Sequence, residues 1–118
     1  MALFRCGAGA EKLQLEKGSY IAARAGAAPT TGTYTSGTAI ISTNGFGSGA
    51  VIAPNTSSTQ INVGGTQFIA IAGLKDGVLV DPYSTSGASV TRTYNDCDLI
   101  FVLSAGGSGA NSITVTDL

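Results

Sequence analysis

After Lys17 the chain is cut into short apolar runs by Ser, Thr and Gly, and strong helix formers all but vanish. A helix needs apolar residues three and four apart over a stretch that tolerates helix. Here apolar residues recur at every second position, or in runs of a few, bounded by turn-forming residues. That is the pattern of strands joined by tight turns, and it predicts an all-β chain.

Two segments read as hairpins. In the first, Gly64-Gly65 separates Gln60-Ile61-Asn62-Val63 from Thr66-Gln67-Phe68-Ile69. A Gly-Gly pair supplies the positive φ angles of a two-residue turn, which would set Val63 opposite Thr66 and Ile61 opposite Phe68. In the second, Asp76-Gly77 joins Ile71–Lys75 to Val78-Leu79-Val80, with Leu74 opposite Leu79. Pro82 should end that strand or confine it to a sheet edge. Further strands are expected at Ser19 to Arg24, Thr38 to Ser42, Ala50 to Ala53, Ser89 to Tyr94, Asp98 to Ser104 and Ser112 to Thr116. Leu99-Ile100-Phe101-Val102-Leu103 is apolar on both faces and reads as a central strand buried between two layers. Ile113 and Val115 alternate with Ser112, Thr114 and Thr116, as in a half-exposed strand. About eight or nine short strands in a chain of 118 residues predict one antiparallel β-sandwich or jelly roll, with two sheets packed face to face.

The domain is expected to span residues 19–118, preceded by an N-terminal arm or edge strand over 1–18. Ala10 to Lys17 holds good helix formers, and Lys12 and Glu16 are four apart. Lys12-Leu13-Gln14-Leu15-Glu16 also alternates as a strand does, and the extended reading is preferred over a short helix. Residues 25–38 look like a long loop, and Ser104 to Asn111 like a second flexible connection. With no Trp, one Met, four Phe and four Tyr, the core should be thin and rich in Ile, Val and Leu.

Six basic and seven acidic residues give a net charge of −1. Arg5, Lys12, Lys17, Arg24, Lys75 and Arg92 are scattered, so the basic patch of a nucleic-acid binder is missing. No stretch approaches the roughly 20 apolar residues of a membrane-spanning helix. No secretory leader is evident, and synthesis in a cytoplasm is expected. A near-neutral surface resists association poorly, which suits a protein meant to assemble. Cys6 and Cys97 are too few for a disulfide framework and are expected as two reduced thiols. A single bridge between them would add about 4 kcal/mol in the chain-entropy picture.

The chain contains no His, which removes Ser-His-Asp and Cys-His pairs, histidine general bases and histidine metal ligands. Asp96 and Asp98 straddle Cys97 and are the one paired-carboxylate feature. They admit a calcium site, which takes 6 to 8 oxygen ligands, or an acid–base pair. The preferred reading is a polar turn leading into the strand at Leu99. Gly45-Phe46-Gly47-Ser48-Gly49-Ala50 resembles a phosphate-cradling loop only superficially. That chemistry needs a following helix to aim its amides at the phosphate, and Val51-Ile52-Ala53-Pro54 reads as a strand. Asn44-Gly45 is instead expected as a hairpin turn. No catalysis, cofactor or metal is expected.

Tyr34 and Tyr83 lie in loop-like sequence and are candidates for a ligand surface on which a cell-surface glycan would stack. Tyr20 and Tyr94 lie in strands and suit a core or an interface. Leu3, Phe4, Leu13 and Leu15 fall outside the strand array. Their apolar side chains need a partner surface, on their own domain or on a neighbouring subunit.

The opening Met-Ala-Leu-Phe-Arg-Cys-Gly-Ala-Gly-Ala-Glu, the Ala/Thr/Gly stretch after it and the short strands resemble small structural proteins of tailed bacteriophages, of the head-decoration, head-fibre or tail-appendage type. The resemblance implies a β-rich virion protein, homo-oligomeric and often trimeric, bound to other virion proteins. The alternative is a receptor- or glycan-binding module at a fibre tip or adhesin.

Overall fold

The computed structural model describes residues 15–24, 28–44, 48–64, 68–86, 89–105 and 110–118. Leu3, Phe4, Cys6, Leu13 and the glycines 45 and 47 lie outside the described residues, as does most of the segment weighed between strand and helix. Leu15 is half-buried and leads into a turn in which Ser19 N donates to Glu16 O at 3.0 Å.

Ten strands follow: β1 Ser19–Arg24, β2 Thr30–Thr33, β3 Thr38–Asn44, β4 Ser48–Ile52, β5 Ser58–Gly64, β6 Phe68–Lys75, β7 Val78–Ser86, β8 Val90–Asn95, β9 Leu99–Ala105 and β10 Ala110–Asp117. All pairings are antiparallel, and no helix occurs among the described residues. One sheet has six strands in the order β2-β1-β4-β9-β6-β7, and the other has four in the order β3-β10-β5-β8. Their facing sides share one apolar core, so the chain is an all-β sandwich.

From β3 onward the pairing follows one rule. β6 pairs with β7, β5 with β8, β4 with β9 and β3 with β10. The chain is a long two-limbed ribbon doubled back at Asp76-Gly77 and rolled up, which gives the jelly-roll strand order. β1 and β2 extend the larger sheet by pairing β1 to β4.

The ribbon explains two corrections. Gly64-Gly65 is no hairpin turn, because β5 and β6 lie in different sheets. Ile61 pairs with Val115 and Arg92, and Phe68 with Ser86 and Ala105. The reason is phase. A two-residue turn would place odd residues of β5 on the same face as even residues of β6. Yet β5 buries Thr59, Ile61 and Val63, and β6 buries Ile69 and Ile71. A hairpin would expose either Ile61 and Val63 or Ile69 and Ile71, whereas crossing between sheets lets both sets face the core. Asn44-Gly45 is likewise no hairpin, since among the described residues β3 pairs only with β10 while β1 and β9 take both edges of β4.

The hairpin at Asp76-Gly77 forms as expected, with Leu74 opposite Leu79. Asp76 and Gly77 both have positive φ (52° and 79°), as a type I′ turn requires. β7 continues through Pro82, but as an edge strand whose register shifts there, where proline removes no needed ladder bond. β2 lies inside the expected loop 25–38. Its sequence Thr-Thr-Gly-Thr has no apolar alternation to betray it, and it is held by pairing with β1.

The core is Ile and Val: Ile52, Ile61, Val63, Ile69, Ile100, Ile113 and Val115 are almost entirely buried. Each such side chain contributes about 1.5–3 kcal/mol on burial. Leucine does not join them, against expectation. Every described Leu and Phe is half-buried or exposed.

Candidate interaction surface

Six of the leucines and phenylalanines missing from the core, Phe68, Leu74, Leu79, Leu99, Phe101 and Leu103, stand on the outer face of the six-stranded sheet. In β9, Ile100, Val102 and Ser104 point into the core, so Leu99, Phe101 and Leu103 point outward. In β6, Ile69, Ile71 and Gly73 point inward, so Phe68, Ala70, Ala72 and Leu74 point outward. The strand ladder aligns these into rows. One row runs Ile21–Val51–Phe101–Ala72, and the next Ala23–Gly49–Leu103–Ala70–Ser84. A third, Leu99–Leu74–Leu79, carries the apolar surface towards the ribbon tip.

Small residues beside large ones give the face relief. Phe101 and Leu103 form a ridge on the central strand, flanked by Ala70 and Ala72 on one side and Gly49 on the other. A Cβ on Gly49 would lie 3.2 Å from Val102 O, so glycine lets β4 and β9 approach closely there, and the Leu103 methyl 3.9 Å from that position would only touch it. The result is an open trough of about 550 Å³ whose lining contains no charged side chain and, as polar side chains, only Tyr83 and Ser84. Leu103 is 46% exposed and Leu79 57%. β9 is thus central within its sheet but not buried between two layers. Among the described residues, its outward side has no covering layer.

The side edge where β7 meets β8 is polar. Arg92 lies 4.6 Å above the Tyr83 ring centroid and 3.9 Å from Asp81 Oδ1, and Tyr94 Oη donates to Asp81 O at 2.9 Å. Burial pushes the Tyr94 hydroxyl pKa up. These contacts clasp the edges of the two sheets together.

The two tyrosines singled out from the sequence do not meet. Tyr34 follows β2, at the opposite edge of the sheet from Tyr83 on β7. It is buried, at 7% exposure, and so offers no stacking surface. Its hydroxyl donates to Asp117 Oδ1 at 2.7 Å and accepts from Asn55 N at 2.8 Å. Burial, then the carboxylate partner, raise its pKa to about 12. Tyr34 is a tie between the end of β10 and the segment after β4. Tyr83 is 40% exposed, with one ring face taken by Arg92.

Asp96 and Asp98 form the polar turn. Asp96 has φ 55° and donates its N–H to Ser57 O, while Asp98 accepts from Asp76 N at 2.9 Å. Among the described residues no group of three or more metal-ligating side chains converges. Cys97 is a free, half-buried thiol whose pKa is raised by burial and then by Asp98, which keeps it protonated rather than nucleophilic. β4, not a helix, follows the glycines at 45 and 47, so no helix N-terminus faces that loop.

The signal for the apolar face was in the sequence: β6 (FIAIAGLK) and β9 (LIFVLSA) are both apolar at odd and even positions. What the sequence does not say is that they are neighbours. No protein-family model matches the chain, no curated protein matches it, and no solved structure matches it.

Proposed function

We propose that this chain is a structural subunit of a virus particle that works by assembling with copies of itself and with other virion proteins. The observation that carries this reading is the uncharged apolar outer face of the six-stranded sheet. Exposed apolar patches larger than a few hundred Å² mark interaction sites in folded proteins. The jelly roll adds support by analogy, since viral capsid domains are built this way. No catalytic step is proposed.

The glycan reading draws on the same analogy, because lectin domains also use jelly rolls. It has weaker support, since Tyr34 is buried and Tyr83 already stacks on Arg92. Sedimentation of the full chain separates the two. Self-association that strengthens with concentration is expected. A strict monomer that binds an immobilised polysaccharide would overturn the assembly reading.

A further inference from the structure

We infer that the outer face of the six-stranded sheet is covered by the same face of a second copy, in a two-fold, sheet-on-sheet pair. The pairing presupposes self-assembly and adds the face and its symmetry.

Three observations lead there. First, the trough lining has no charge. In a two-fold contact each residue meets its own surface again, so any charge near the axis would face its like. This face has none to oppose, whereas a partner recognised by charge would find nothing to bind. Second, the relief is self-complementary in kind. The Phe101–Leu103 ridge lies beside the low ground of Ala70 and Ala72. A two-fold axis lying between the two sheets, parallel to the strands and over the seam of β6 and β9, sets the ridge of each copy over the low ground of the other. Third, the area suffices. Six strands about 4.8 Å apart and about seven residues long at ~3.3 Å each give a face of about 24 Å by 23 Å, or about 1,100 Å² for two copies. A specific interface needs about 1,000 Å². The sheets would pack about 10 Å apart, as the two sheets of a sandwich do.

Leu103→Asp places a charge on the ridge at a site already 46% exposed, so the monomer should fold, checked by circular dichroism and melting. The pair is expected to weaken about thirtyfold or more, the scale of a central contact residue, in sedimentation equilibrium of the full chain. A photo-crosslinking residue at position 103, in a mixture of ¹⁵N-labelled and unlabelled protein, reads out the occupant directly. Crosslinks between labelled and unlabelled chains that map to β4, β6 or β9 support the pair. Crosslinks within one chain to residues 1–14 would overturn it, assigning the face to the chain's own N-terminal segment. A trimer unaffected by Leu103→Asp would also overturn it while leaving self-assembly intact. A monomer at all concentrations would overturn both.

Discussion

On the outer face of the four-stranded sheet stand Gln60, Asn62, Thr91, Thr93, Ser112, Thr114 and Thr116, with Asn62 Nδ2 donating to Thr91 Oγ1 at 2.7 Å across the ladder. On the outer face of the six-stranded sheet stand Ile21, Val51, Phe101, Leu103 and Leu74. Both faces use strands of the same alternation over the same core. The first satisfies itself with hydroxyls, amides and water. The second leaves side chains in water that gain about 25 cal/mol for each Å² removed from it. Folding needs one apolar side per sheet. Among the described residues the smaller sheet has one and the larger has two, and the proposed pair gives the extra side its partner.

The sharpest contrast lies within β9. Ile100→Ala, on its inward side, is expected to cost about 2–5 kcal/mol in denaturant unfolding, as cavity-forming core changes do. The outward Leu103→Asp should leave monomer stability far less affected. If the two changes cost the monomer equally, the outer face is part of the fold and the contrast between the faces collapses. Tyr34→Phe removes a hydroxyl that bridges Asn55 and Asp117, and should cost about 0.5–1.5 kcal/mol, the net worth of a hydrogen bond, because the partners are exposed or half-buried and water can replace the hydroxyl. The pH dependence has a definite sign. Tyr34 is neutral when folded, and its folded pKa of about 12 lies above the ordinary 10. Its contribution is therefore complete below pH 10 and is lost as pH rises towards 12. Stability measured across that window should decline less steeply in the Phe variant.

Arg92→Ala removes the contact over Tyr83 and a long ion pair to an exposed Asp81. It should cost about 0.5–1 kcal/mol in thermal unfolding, nearly all of it from the ring contact and the packed stem. The smallest effect is expected for Thr93→Asp on the polar face. Its stability should stay within about 0.5 kcal/mol of the parent, and its sedimentation should match the parent's. A change in assembly from Thr93→Asp would mean that the polar face also carries a contact.

How far the fold could be read from the sequence follows from what each signal encodes. Alternation places a residue on one face of a strand, so β1, β8 and β10 were legible to within a residue or two. A glycine pair encodes a turn angle and not which edge the chain joins next, so Gly64-Gly65 was misread. The clue lay in the odd-numbered isoleucines on both sides of it. β2 carried no apolar signal, because its Thr-Thr-Gly-Thr sequence has no apolar side chain to bury and it joins the sheet by pairing with β1. Leucine was expected inside because it is usually buried; here β-branched Ile and Val fill the narrow space between sheets, and Leu lies outside. Tyr34 looked exposed because its neighbours are polar. It is buried because the end of β10, far along the chain, returns beside it.

The rolled ribbon also dictates the order in which the chain can acquire structure. Among the described residues, only β1·β2 and β6·β7 join strands that are consecutive in the chain. Every other pairing waits for residues emerging later, and β3 has no partner until β10 exists. Contacts between such distant segments place all-β domains in the millisecond-to-second range of folding times. During that interval β6 and β9 carry apolar side chains on both sides. A ribosome making this chain therefore releases its stickiest strands before the last strand that closes the smaller sheet, and the expected signature is low soluble yield for any version truncated before residue 110.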